Sequence, residues 1–69
     1  MNILSELAGK VARIAVSPDQ SVNAGQELLI IESMKMEIPV ESEISGKVMK
    51  ILVQAGDEVE EGQPVAELN

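Results

Sequence analysis

Apolar and polar positions alternate along most of this chain with a period of two, the spacing of a half-buried strand. Ala12, Ile14 and Val16 fall on one side of such a strand, and Met49, Ile51 and Val53 repeat the pattern further on. Val11 and Val48 break the alternation, which predicts a kink or bulge just after Gly9 and Gly46. Runs of five to eight residues are bounded by turn residues at Ala8-Gly9, Pro18-Asp19, Ala24-Gly25, Ser45-Gly46, Gly56-Asp57 and Gly62-Gln63-Pro64. Val and Ile together number fifteen, and both suit a pleated surface. No window reads as a helix. Asp57 to Gly62 is acidic enough for a single turn, but Gly62 and Pro64 close it off. The pattern predicts an all-β fold, a small sandwich or flattened barrel with frayed terminal residues.

The pattern also repeats. With the sequence shifted by 37 positions, residues 1–32 lie on 38–69 without a gap, and ten of the 32 pairs are identical. These include Ser5/Ser42, Gly9/Gly46, Lys10/Lys47, Val11/Val48, Ile14/Ile51, Gly25/Gly62 and Gln26/Gln63. Two copies are too few for a solenoid, which needs three or more. They predict one domain over residues 1–69, with two halves about a pseudo-two-fold axis, each covering the other's apolar face. The segment left between the halves is Ser33-Met34-Lys35-Met36-Glu37, a natural hairpin at the joint, with Lys35 at the middle of the chain.

Composition narrows the function. A chain of 69 residues has room for one small domain and a thin core. There is no Cys and no His, so thiolate zinc sites, disulfides, His-metal sites and Ser-His or Cys-His nucleophiles are excluded. Phe, Tyr and Trp are absent, and twelve acidic against five basic residues give a net charge of −7. Nothing is available to stack on a base, and the charge repels a phosphate backbone. The longest apolar run, Leu28-Leu29-Ile30-Ile31, is far too short to span a bilayer, and Met1 to Lys10 lacks the pattern of a signal peptide. A soluble cytoplasmic protein without nucleic-acid or membrane partners is the expectation.

Chemistry then concentrates on Lys35. In an extended hairpin, Met34 and Met36 would point to one face and Lys35 to the other. The plain reading makes Lys35 a surface lysine and the methionines fillers of the barrel end. The functional reading notes that this lysine sits at the joint of the repeat, in a chain lacking most other reactive side chains. Lys10, Lys47 and Lys50 lie within the repeats, on strand faces or strand starts, and read as structural or solubilising. Glu41/Glu43 and Asp57-Glu58-Glu60-Glu61 match no calcium loop and read as solvated faces. Gly9, Gly25, Gly46 and Gly62 read as turn residues with positive φ, since no phosphate-binding glycine pattern is present.

Glu32-Ser33-Met34-Lys35-Met36 resembles the attachment motif of biotinyl domains, the carrier modules of biotin-dependent carboxylases. The surrounding residues fit along the whole chain: Gly25-Gln26, Pro39, Gly46, Gly56-Asp57, Val59 and Gly62. The resemblance implies a flattened barrel of two four-stranded antiparallel sheets, with biotin joined by an amide to Lys35. It implies that Glu32, Ser33, Met34, Met36 and Glu37 form the motif that the ligase recognises. It further implies a carrier that is not itself an enzyme. Its partners would be a biotin protein ligase, a biotin carboxylase and a carboxyltransferase, between which it moves a carboxyl group as carboxybiotin. Docking would be transient, over less than about 1,200 Å². Lipoyl domains share the fold, but their lysine usually follows Asp and precedes Ala, places held here by Met34 and Met36. A lipoyl carrier and an unmodified barrel-sandwich adaptor are the alternatives. Two departures stand out: Asp19-Gln20 replaces the Gly-Asp of the second half, and Ser5-Glu6-Leu7-Ala8 replaces a Pro-rich lead-in. Asp tolerates a left-handed turn, so the first leaves the fold intact. The gapless repeat leaves no room for a protruding thumb insertion, implying the thumbless type.

Overall fold

The computed structural model describes all residues, Met1 to Asn69. Eight strands follow one another: β1 (Asn2–Leu4), β2 (Gly9–Ile14), β3 (Ser21–Val22), β4 (Glu27–Ser33), β5 (Met36–Glu41), β6 (Gly46–Ile51), β7 (Glu58–Val59) and β8 (Pro64–Leu68). No helix forms. The acidic stretch after Asp57 becomes β7 and a turn, because each half repeats the same strand-turn-strand sequence there.

The strands make two antiparallel four-stranded sheets, ordered β1-β8-β6-β3 and β5-β4-β2-β7. The 37-residue shift carries one order onto the other, strand by strand. The halves therefore do not simply lie face to face as the repeat suggested. Each sheet draws two strands from each half, so neither half owns a complete sheet.

The bulges are present, but they sit later than expected. Val11 pairs with Ile31 and Arg13 with Ile30, leaving Ala12 as the extra residue; Met49 is its counterpart between Val48 and Lys50. Val11 and Val48 therefore point into the core, while Ala12 and Met49 are exposed, opposite to the simple alternation. A second pair of bulges, at Leu28 and Val65, rotates those side chains inward. This explains how Leu28 and Leu29, successive residues of β4, both face the core.

The core contains fourteen aliphatic residues from both sheets, among them Ile3, Val11, Leu29, Ile31, Val48 and Leu68. The two buried polar side chains, Ser5 and Ser42, occupy equivalent places in the repeat. Each hydroxyl donates to the carbonyl two residues on, Leu7 or Ile44, and accepts from that residue's N–H. Both are satisfied locally, which is the condition for burying them.

Four β-turns connect the strands, with a left-handed residue in the third position: Asp19 (φ 72°), Gly25 (87°), Gly56 (96°) and Gly62 (85°). Asp19 does adopt the conformation of its glycine counterpart. Gln26 and Gln63 accept from the backbone of Asn23 and Glu60 through their side chains, so each closes its own turn. Gly9 and Gly46 correct the expectation of positive φ. They begin β2 and β6, and what they lack is room: a Cβ on Gly9 would meet the Glu32 carbonyl oxygen at 2.5 Å, and one on Gly46 would collide with that of Asn69. The termini are not frayed. The Met1 amine donates to Leu68 O at 2.7 Å, and Leu68 N donates to Met1 O.

Candidate functional site

β4 and β5 pair closely up to Ser33↔Met36, leaving Met34 and Lys35 as the two residues of the connecting turn. Both have positive φ, 53° and 66°, as a type I′ hairpin requires. The joint is thus tighter than the five-residue segment suggested. Met34 and Lys35 do not alternate across a strand. They are the turn itself, and only Met36 belongs to a strand. Type I′ turns favour Asn-Gly, so Met-Lys here holds a conformation that side chains resist. The hairpin is held by the longest ladder in the molecule, from Ser33↔Met36 to Glu27↔Glu41. Gly9 seats β2 directly against Glu32 at its root.

Lys35 is exposed, and its amine has neither a hydrogen-bond nor an ion-pair partner. Met34 is 91% exposed and Met36 61%, so neither fills the barrel end. Ser33 is half-buried where the ladder begins.

Charge is organised below the tip, on the outer face of the β5-β4-β2-β7 sheet. Glu58, Lys10, Glu32 and Glu37 stand directly opposite one another in a row across β7, β2, β4 and β5. Lys10 separates two glutamates, but Glu32 and Glu37 are adjacent like charges, an unfavourable pair. Glu37 turns instead to Arg13, whose Nη1 donates to its Oε1 at 3.1 Å. The other two glutamates of the row remain exposed. A shallow groove of about 510 Å³ borders the tip, with Ala8, Lys10, Met34, Glu58 and Val59 among its walls.

The remaining candidates are dispersed. Lys10, Lys47 and Lys50 lie in β2 and β6, and the acidic residues at the end of β5 and in and around β7 are exposed, with no three converging on a point. The hairpin alone combines a free nucleophilic side chain, projection and a rigid base. Sequence reading missed Arg13. Its partnership with Glu37 spans 24 residues and depends on strand register. No helix in the chain is long and apolar enough to cross a membrane.

Comparison with known proteins bears on the family and the fold. The chain is 38% identical over 69 residues to the biotin/lipoyl attachment protein of Bacillus subtilis (strain 168), covering all of this chain and 94% of that protein. Its structure superposes on part of the Kluyveromyces lactis urea carboxylase with a TM-score of 0.96 and 39% identity, covering 100% of this chain. It also matches a single-chain, multi-domain long-chain acyl-CoA carboxylase with a TM-score of 0.89 and 27% identity, over 96% of this chain. The chain spans only 6% and 7% of those two carboxylases. The model of the biotin/lipoyl family, described as biotin-requiring enzyme, matches residues 1–68. With that match over nearly its whole length, this chain belongs to the biotin/lipoyl attachment family.

Proposed function

We propose that this protein is a biotin carboxyl carrier whose prosthetic group is joined to Lys35. The observation that carries the proposal is the free amine of Lys35, the second residue of a two-residue turn. The residues fit the group. An unpaired amine on a long stem can reach into a ligase active site, and the turn sets it apart from the three lysines along the strands. For attachment, the Lys35 nitrogen gives up a proton and attacks the activated carboxyl carbon of biotin. An amide bond forms, and the activating group leaves with the carbonyl–oxygen bond electrons. Glu32, Ser33, Met34, Met36 and Glu37 present the lysine to a biotin protein ligase. When bound, biotin supplies a ureido nitrogen able to accept and release a carboxyl group. The hairpin holds the tether at a fixed root, so the ring visits a biotin carboxylase and a carboxyltransferase at high effective concentration. The chain itself brings no catalytic constellation to either step. The cytoplasm, where such enzymes load and turn over, is the proposed location.

Met34 and Met36 beside the lysine favour biotin over lipoate, and both carboxylases above support a carboxyl carrier. The name of the Bacillus relative covers both cofactors, so lipoate is the second reading. Intact mass and peptide mapping of protein from its native cells test the proposal. A biotinyl increment on Lys35 is expected. A lipoyl increment would keep the site and replace the chemistry. A bare Lys35 in cells that load other carriers would overturn the carrier reading and leave the adaptor.

A further inference from the structure

This chain has no Cys, His, Trp or Tyr, so its four methionine thioethers are its only readily oxidised side chains. None is in the core. Met1 and Met49 are about half exposed, at 51% and 49%, while Met34 and Met36 reach 91% and 61% on either side of Lys35. The most exposed methionine in the molecule therefore adjoins its proposed loading point. Methionine normally serves a small protein as an adaptable core filler. Here that role is taken entirely by Val, Ile, Leu and Ala.

We infer that Met34 and Met36 form a peroxide-sensitive switch that controls loading of Lys35; this inference rests on the carrier function proposed above. The thioether sulfur attacks one oxygen of a hydroperoxide, forming an S–O bond as the O–O bond breaks. The sulfur is oxidised by two electrons to a sulfoxide. The peroxide is reduced to water or an alcohol, and its own proton passes to the departing oxygen. The tip loses two flexible apolar contacts and gains two strong acceptors. A ligase surface that closes on the thioethers must then bury oxygens without donors. The core is untouched, because neither side chain belongs to it. Enzymatic sulfoxide reduction returns the thioethers, so the switch is reversible.

The test treats the unloaded protein with graded hydrogen peroxide and maps oxidation by peptide mass. Loading is then measured with a bacterial biotin protein ligase, biotin and ATP. Met34 should oxidise first, Met36 next, and Met1 and Met49 more slowly. Loading of the Met34/Met36 disulfoxide should fall about tenfold or more with an unchanged circular dichroism spectrum. Methionine sulfoxide reductases should restore it. Met49→Leu should remain peroxide-sensitive, whereas the Met34→Leu/Met36→Leu variant should load at a peroxide-independent rate. Equal loading of oxidised and reduced protein, or persistent sensitivity in the double variant, would overturn the switch. Failure of the unoxidised protein to accept biotin on Lys35 would instead strike the carrier function, so the two failures are distinguishable.

Discussion

Arg13 Nη1 and Glu37 Oε1 meet at 3.1 Å across the outer face of the β5-β4-β2-β7 sheet, and the strand between them is β4. Arg13, Ile30 and Pro39 are directly opposite one another on that face. Ile30 is only 3% exposed although it lies outside the fourteen-residue core. The arginine thus does two things at once. Its stem and neighbours shelter an apolar side chain that points away from the interior, and its head fixes the β5 glutamate two residues from Lys35.

The two contributions separate by mutation. Both charged side chains are more than half exposed, so the ion pair itself is worth under about 1 kcal/mol. Glu37→Gln should shift the denaturant midpoint little. Arg13→Ala should shift it more, through Ile30, and Ile30→Ala should cost most, about 2–4 kcal/mol. Urea unfolding of the three variants decides the order. Equal losses for Glu37→Gln and Arg13→Ala would mean that charge, not cover, dominates.

The turn trades stability for chemistry. Met34 holds φ at 53°, where a side chain costs roughly 1–2 kcal/mol and glycine costs nothing comparable. Met34→Gly should raise the melting temperature by a few degrees, at about 4–8 °C per kcal/mol for a domain this size. The same substitution should slow ligase loading, since the apolar contact is gone. Calorimetry and a loading assay on one preparation check both signs.

Two classes of glycine should respond differently to alanine. Gly9→Ala drives a methyl into the Glu32 carbonyl oxygen and the Ile31 side chain, at 2.5 and 2.7 Å, and backbone must move. Gly62→Ala finds open space and meets only the penalty of its φ of 85°, roughly 1–2 kcal/mol. The thermal midpoint of Gly9→Ala should fall well below that of Gly62→Ala. Gly9→Ala should also disturb amide exchange at the hairpin root, where Gly62→Ala should not.

Lys35 bears no structural role in this arrangement. Lys35→Arg should abolish the attached mass while leaving the melting temperature within about 2 °C, because the side chain is exposed and unpaired. A large loss of stability would assign the residue to the fold instead.

Much of this architecture is legible in the residues, and the reasons are local. Several of the ten identities of the repeat come from turn geometry, burial and close approach, as Gly25/Gly62, Val11/Val48 and Gly9/Gly46 illustrate. Asp19 in a left-handed turn was readable because Gly56 stands at its repeat position. What escaped was register. Ala12 and Met49 look like inward residues until a bulge adds one position, and a one-residue slip exchanges faces. Met34 and Lys35 look like strand residues until the Ser33↔Met36 pair leaves them only a turn. Arg13 could not be tied to Glu37 without knowing which strand lies between them. The exchange of strands between halves was likewise invisible, since two face-to-face units predict the same repeat.

The paired ends of the chain carry a last consequence. The pseudo-two-fold relates the Met1–Leu68 pairing in one sheet to the place where β4 turns into β5 in the other. Backbone closure at the ends is thus already prepared. A copy of Ser33–Glu37 inserted between Asn69 and Met1 would make a covalent circle of two equal repeats. That circle would carry a second lysine hairpin, and either joint could then be cut. The present linear order is one of two equivalent circular permutations of the same topology.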